Sequence, residues 1–355
     1  MNYKSFGDLA CDITTHLWKI PADIDLLVGI PRSGLMAAAM LALHINKKFC
    51  DLDAFIENRA LKTGRTRRGG ELTYPHDAKR VLIIDDSVDA GVSIAAAREA
   101  LKPVQQGRDL LFAAIYVHNR SAHLVDIFFE RVEMPRVFAW NLFHRTDLKH
   151  FCVDIDGVLC QDPTLEQNDD GQQYLHFLSA TRPIARPSYE IGHLVSSRLE
   201  RYRQPTIEWL GAHGIAFGQL HLLDVPSAAD RRRLGCHAKF KADIYHRIDS
   251  AQLFVESEPD QAAQIARLTG KPVLDYANQR MATATWNMAR ATAEGTRLKR
   301  RIIRRLQRVQ ADIKTAVSRG PPGRTGVNRS CDASTTISGA REPSAATRLP
   351  SPDSL

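Results

Sequence analysis

The run Val81-Leu82-Ile83-Ile84-Asp85-Asp86-Ser87-Val88-Asp89-Ala90-Gly91-Val92-Ser93 constrains the fold of this chain more than any other stretch. Apolar residues end in two carboxylates, and a loop of mostly small residues follows. A short continuous apolar run bounded by polar residues suits a strand covered on both faces of a parallel sheet, and Ile94 to Leu101 has helical patterning. The local order is therefore strand, loop, helix. Gly91 lets the backbone come close to an anion, and Ala90 and Ser93 add little bulk. The helix that follows points free N–H groups and a partial positive charge at that anion. Asp85 and Asp86 are expected at the carboxyl end of the strand, where open α/β sheets bind ligands, and adjacent carboxylates can accept from paired hydroxyls. A phosphate cradle beside paired acids suits a ribose 5-phosphate.

This run resembles the signature of the type I phosphoribosyltransferases, which bind 5-phosphoribosyl-1-pyrophosphate (PRPP) with Mg²⁺ and transfer the phosphoribosyl group to a nucleophile. The resemblance implies that Asp85 and Asp86 bind the ribose hydroxyls, and that Ala90, Gly91, Val92 and Ser93 hold the 5-phosphate. Upstream, Asp25 to Ile30 reads as a strand running into Gly29-Ile30-Pro31-Arg32-Ser33-Gly34, and Leu35 to Leu43 as an Ala-rich helix. In the resembling family such a turn binds pyrophosphate through backbone N–H groups and a basic side chain, which implies roles for Arg32, Ser33 and Gly34. Residues 59–71 are glycine-rich and basic with no apolar period, so a mobile loop is expected there. Related transferases close a loop at this place over the leaving pyrophosphate, which implies that Lys62, Arg65, Arg67 and Arg68 neutralise developing charge. A solvated surface loop, or one touching nucleic acid, would have the same composition. An acid at Asp89 resembles the purine-salvage subset, where that side chain lies near the acceptor nitrogen; it could serve as a general base or simply cap the loop or helix.

The rest of this half is read as core. Phe6, Leu9, Ala10, Ile13 and Leu17 predict an opening helix over residues 4–18, and Leu110–Val117, Val125–Phe129 and Val137–Leu142 predict strands that complete a small sheet. Trp140 and Phe143 could stack on a ring, but aromatics near a domain junction are more often core. The acceptor is not legible here.

A second apolar lead, Phe151-Cys152-Val153, ends in Asp154-Ile155-Asp156-Gly157, with carboxylates on alternate residues and hence on one side of the strand. It resembles the first motif of the haloacid dehalogenase superfamily, whose usual members are Mg²⁺ phosphatases that form an aspartyl-phosphate. The resemblance implies Asp154 as nucleophile, Asp156 as general acid and base, Ser196 holding the phosphoryl group, and Lys241 balancing the clustered acids. It also implies a Mg²⁺ set of Asp154, Asp156 and Glu256. The fourth motif, Leu253 to Asp260, departs from the family: Ser257 stands where a metal-binding aspartate is usual, and a hydroxyl is a poorer Mg²⁺ ligand.

The 355 residues suffice for two domains, and the formal net charge of +8 favours anionic partners. The 6 cysteines are scattered without metal-ligand spacing and read as reduced thiols, and no signal-peptide or membrane-spanning pattern occurs, so a cytoplasmic location is expected. From Arg297 to Ile313 an apolar stripe is surrounded by arginines and lysine, a basic amphipathic helix suited to an anionic membrane surface, to nucleic acid, or to docking on the protein itself. Beyond Val317 the composition is that of a disordered tail.

The expected architecture is α/β: two Rossmann-like parallel-sheet domains, a type I phosphoribosyltransferase fold over residues 1–147 and a haloacid dehalogenase-like fold over 148–278. A basic helical arm over 279–316 and a tail over 317–355 would follow. The pairing resembles bacterial systems that install ribofuranose on surface polysaccharides. It implies phosphoribosyl transfer from PRPP to a sugar hydroxyl of a lipid-linked glycan, with the second domain removing the 5-phosphate and residues 297–313 touching the inner face of the membrane. The alternatives are a nucleobase (orotate or purine) phosphoribosyltransferase and a non-catalytic PRPP sensor that binds RNA; nucleic acid is the less expected partner.

Overall fold

The longer apolar runs form two large sheets, both within the unit Met1–Asn287, beside a small 2-stranded one. The computed structural model describes residues 1–62 and 72–282. Arg65, Arg67 and Arg68 of the expected lid, the basic arm over 297–313 and the tail lie outside the described residues.

The first sheet is 5-stranded and parallel, in the spatial order Lys48–Asp51, Leu26–Gly29, Arg80–Val88, Asp109–Val117, Ile127–Arg131. Its central strand carries the signature. Val81, Leu82, Ile83 and Ile84 are wholly buried, and successive side chains enter opposite cores. Leu82 and Ile84 pack with Leu9 and Ile13 of the helix Phe6–Thr15 and with Ala37, Ala38 and Leu41 of the helix Ser33–Ile45. Val81 and Ile83 pack on the other face with Phe55 and with Ile94, Ala97 and Leu101 of the helix Val92–Leu101. At about 1.5–3 kcal/mol for each large aliphatic side chain buried, these residues anchor the sheet.

The strand is longer than the apolar run predicts, and the reason is register. Leu26–Gly29 pairs with Val81 to Ile84 and stops, whereas on the other side pairing continues through Asp85↔Ala114, Ser87↔Tyr116 and Val88↔Val117. The acid pair is thus inside its own strand but past the end of one neighbour, which opens it to the Arg32–Gly34 turn.

The helix expected over residues 4–18 is shorter. Ser5 and Asp8 form a capping box that starts it at Phe6, and Asn2–Lys4 is a strand. That strand corrects a second expectation. Instead of completing the first sheet over Val137–Leu142, only Arg136–Phe138 is extended, and it pairs with Asn2–Lys4 in a separate 2-stranded parallel sheet. The residues there divide between two cores: Phe138 enters the first, while Val137, Leu142 and Phe143 enter that of the second sheet. A segment serving both cores cannot continue as an edge strand of either.

The second sheet is 6-stranded, in the order Phe217–Leu223, Ile191–Leu199, Phe151–Val153, Leu253–Glu256, Val273–Asp275, Arg280–Ala282. All pairs are parallel except the last, where Arg280–Ala282, expected at the start of the basic arm, runs antiparallel on Val273–Asp275. Phe151–Val153 lies between Ile191–Leu199 and Leu253–Glu256, so Asp154, Ser196 and Glu256 come from three adjacent strands at one end of the sheet. No described helix is long and apolar enough to cross a membrane.

Candidate active site

The turn after Leu26–Gly29 reaches the acid pair because Gly34 has no side chain. A Cβ there would lie 2.7 Å from the Ile84 carbonyl oxygen and 2.9 Å from the Asp85 Cα. Ser33 beside it donates its hydroxyl to Asp86 Oδ1 at 2.7 Å, and Trp140 Nε1 donates to Asp86 Oδ2 at 2.6 Å. Asp85 Oδ1 accepts from the Asp86 amide at 2.9 Å. Burial, and then the charge of Asp86, push the Asp85 carboxyl up to about 8. Among the described residues the hydrogen-bond donors at this pair are a hydroxyl, an indole and an amide, none of them cationic.

Beyond Val88 the loop turns at Gly91 with φ +78°, the left-handed region that favours glycine, and a Cβ there would also strike Leu124 Cδ1 at 2.5 Å. The helix Val92–Leu101 starts with no side-chain cap, so its first N–H groups are left to a ligand or solvent. Residue 85 and residues 87–94 line a cavity of about 270 Å³. Ala90, Gly91, Val92 and Ser93 are therefore gathered on one cavity at the helix start, with Asp85 on the same cavity. Asp86 faces Ser33 and Trp140 instead, and Arg32 Nη2 donates to Asn141 Oδ1 at 2.5 Å. Lys62 is exposed at the last described position before residue 63.

Asp89 does not cap the helix. It is exposed at the cavity rim, with Oδ1 3.2 Å from His118 Nε2. His118 Nδ1 accepts from the Arg120 amide at 3.2 Å, which places the imidazole proton on Nε2 and makes that nitrogen the donor to Asp89. Sequence reasoning missed His118. It also missed Arg136, which is buried and donates Nη2 to the Val88 carbonyl at 2.8 Å, fixing the base of the loop together with Ser121 Oγ at 3.1 Å.

The second set of acids is assembled differently. Lys241 Nζ donates to Asp154 Oδ2 and to Glu256 Oε2, both at 2.7 Å. Burial pulls the lysine down, but the two carboxylates outweigh it and hold the ammonium above its ordinary range. One cation between two buried carboxylates leaves an excess negative charge. Burial above all, and then the charge of Asp154, pushes Glu256 up to about 8, and burial likewise raises Asp154. Asp156 points to Arg198, which is wholly buried and reaches it with Nη2 at 2.6 Å and Nε at 3.1 Å. Arg198 went unassigned although an arginine inside the apolar strand Ile191–Leu199 signals a buried counter-ion. Asp154, Asp156, Ser196, Lys241 and Glu256 line one cavity of about 240 Å³ together with Arg231 and His237. Burial pushes His237 down to about 4.

The expected Mg²⁺ set does not fit this arrangement. Asp156 is held by Arg198, Glu256 and Asp154 share Lys241, and the Asp156 carbonyl accepts from Ser257 Oγ at 3.0 Å. Among the described residues no group of three His, Cys, Asp or Glu side chains is arranged to hold a metal ion.

Residues 3–132 match the family model described as the phosphoribosyl transferase domain. No curated protein matches the chain. Among solved structures, the xanthine-guanine-hypoxanthine phosphoribosyltransferase of Helicobacter pylori is 17% identical, with 40% of this chain and 92% of that one covered and a TM-score of 0.30. The purine phosphoribosyltransferase of Pyrococcus horikoshii is 19% identical, covering 39% of this chain and 92% of that one at a TM-score of 0.29. The orotate phosphoribosyltransferase of Aeropyrum pernix is 19% identical, with 36% and 70% covered and a TM-score of 0.26. The signature strand, its loop and the upstream turn all lie within residues 3–132, the stretch that the phosphoribosyl transferase domain model matches.

Proposed function

We propose that the chain transfers the 5-phosphoribosyl group of PRPP to a sugar hydroxyl of a lipid-linked bacterial surface glycan, and that the second domain acts on the 5-phosphate so delivered. The observation that carries the transfer is a buried acid pair whose donors among the described residues are all neutral, next to an uncapped helix start across a cavity of about 270 Å³. Paired hydroxyls suit the carboxylates and a phosphate monoester suits the helix start. A pair without a cationic partner among the described residues also fits a Mg²⁺ carried in on the diphosphate, which would draw charge from the leaving group.

In this reading the acceptor oxygen forms a bond to the anomeric carbon while the bond from that carbon to diphosphate breaks, and Asp89 takes the hydroxyl proton. His118 occupies one Asp89 oxygen and leaves the other for that proton. A hydroxyl, far less acidic than a nucleobase N–H, gains more from a base. The aromatic rings nearest the acid pair also favour a non-aromatic acceptor. Trp140 is stacked on Phe138 at 5.0 Å and 7°, and Phe138 on Tyr116 at 5.3 Å and 19°, so the rings are spent on one another.

For residues 148–278, a haloacid dehalogenase-like fold is supported by the central place of the Asp154 strand and by the meeting of Asp154, Ser196 and Lys241 on one cavity. Removal of the 5-phosphate rests on Asp154 as nucleophile. Since the acids there do not fit Mg²⁺, no metal-dependent step is assigned. Membrane contact through residues 297–313 belongs to the same reading, as the site where a lipid-linked acceptor is held.

The test is product mass after incubation with PRPP, Mg²⁺ and, in parallel, lipid-linked glycans and a panel of nucleobases. Addition of a phosphoribosyl or ribosyl group to glycan is expected. Free nucleotide from orotate or a purine, with no glycan product, would replace the hydroxyl acceptor with a base.

A further inference from the structure

Residues 137–143 stand at the junction of the two cores, and two of them reach back into the donor site. Val137, Leu142 and Phe143 are buried in the core of the second sheet, whereas Phe138 is buried in that of the first. Trp140, between them, extends the stack of Tyr116 and Phe138 and meets Phe6 at 5.6 Å and 54°. Its Nε1 proton goes to Asp86 Oδ2 at 2.6 Å, while Asn141 Oδ1 accepts from Arg32 Nη2 at 2.5 Å. Both residues lie past residue 132, where the phosphoribosyl transferase match ends.

We infer that Trp140 and Asn141 are positioning residues of the PRPP site, supplied by the junction with the second domain. The inference rests on the donor-site reading above. The carboxylate of an aspartate turns easily about its last torsion, for which the energy wells are broad. Ser33 on one oxygen and Trp140 on the other remove that freedom and leave each oxygen a second lone pair for a ribose hydroxyl. The indole is suited to this because its ring cannot swing without unstacking Phe138, which is itself core. Asn141 restrains Arg32, which otherwise projects from an exposed turn, next to the place a diphosphate would occupy. Leu142 and Phe143 tie the segment into the second core, so the order of the donor site depends on a domain that does not contain it.

Trp140→Phe keeps the stack and removes the N–H. Calorimetric titration of the full chain with PRPP and Mg²⁺ should show affinity falling about tenfold, as for loss of one hydrogen bond to a charged group, with kcat at saturating PRPP changed less than about threefold. The same substitution in an Asp86→Ala background should then cost less than about twofold, because the acceptor it orients is gone. For Asn141, Ala should weaken PRPP binding and Asp, which can still accept from Arg32, should restore it. Unchanged affinity in Trp140→Phe overturns the inference, and so does an equal loss with and without Asp86, which would show that the ring acts only through packing. Absence of PRPP binding by the unaltered protein overturns the donor-site reading and this inference with it.

Discussion

Asp85–Asp86 and Asp154–Asp156 follow the same kind of buried apolar strand, yet the company they keep differs in charge. The first pair meets Ser33, Trp140 and a backbone amide. The second meets Lys241 and Arg198. Neutral donors satisfy lone pairs without cancelling charge, and burial, followed by the charge of Asp86, pushes the Asp85 carboxyl up to about 8. Lys241, shared by Asp154 and Glu256, and Arg198, paired with Asp156, hold these acids in place and offset part of their charge. A strand ending in acids therefore meets neutral donors in one case and cations in the other, and only the partners decide which.

The comparison can be broken most directly through its reactive member. Asp89→Asn should lower the transfer rate by about 10²–10⁴-fold, the usual worth of a positioned base, with PRPP affinity nearly kept; steady-state kinetics with varied PRPP would show it, and an unchanged rate would remove Asp89 from the chemistry. Next in size is Lys241→Met, which strands Asp154 and Glu256 without their cation and should cost about 3–5 kcal/mol in urea unfolding, whereas Trp140→Phe, removing a neutral partner of Asp86, should cost far less. Comparable losses would mean that the two networks do not differ as described.

A smaller effect follows from the raised Asp85. The folded protein keeps a proton there that the unfolded chain has lost above about pH 4, so the contribution of this group is full below that pH and fades as pH rises through about 8. Urea midpoints at pH 5 and pH 8.5 should therefore slope downward, and Asp85→Asn should lessen the slope, leaving the share of the similarly raised Glu256. The smallest effect on transfer is expected from Asp154→Asn. Its transfer rate should match that of the unaltered protein while the product retains its 5-phosphate, and identical product masses would show that the second site removes none.

Much of the fold could be read from local pattern. Val81 to Ile84 announces a strand buried on both faces, and the Ala-rich stretch after Gly34 and the residues from Ile94 onward announce the helices that cover it, because burial of alternate or helically spaced side chains is written in neighbouring residues. The small residues of the 89–93 loop likewise carry their own reason, since close approach to an anion needs little bulk and a left-handed Gly91. The edges were less legible. Asn2–Lys4 and Arg136–Phe138 are strands only because each finds the other, and the extension of the central strand through Val88 depends on where Leu26–Gly29 stops.

The electrostatic character of the two acid pairs lay beyond reach of the sequence for the same reason. Asp86 is completed by Trp140, 54 residues away, Asp156 by Arg198, 42 away, and Asp154 by Lys241, 87 away. Sequence determined that carboxylates would end two buried strands, because hydrophobic periodicity is a property of neighbours along the chain. Tertiary structure alone decided whether a neutral donor or a cation would face each of them, because a charge is stabilised by what lies within a few ångströms in space, and long-range packing chooses those groups.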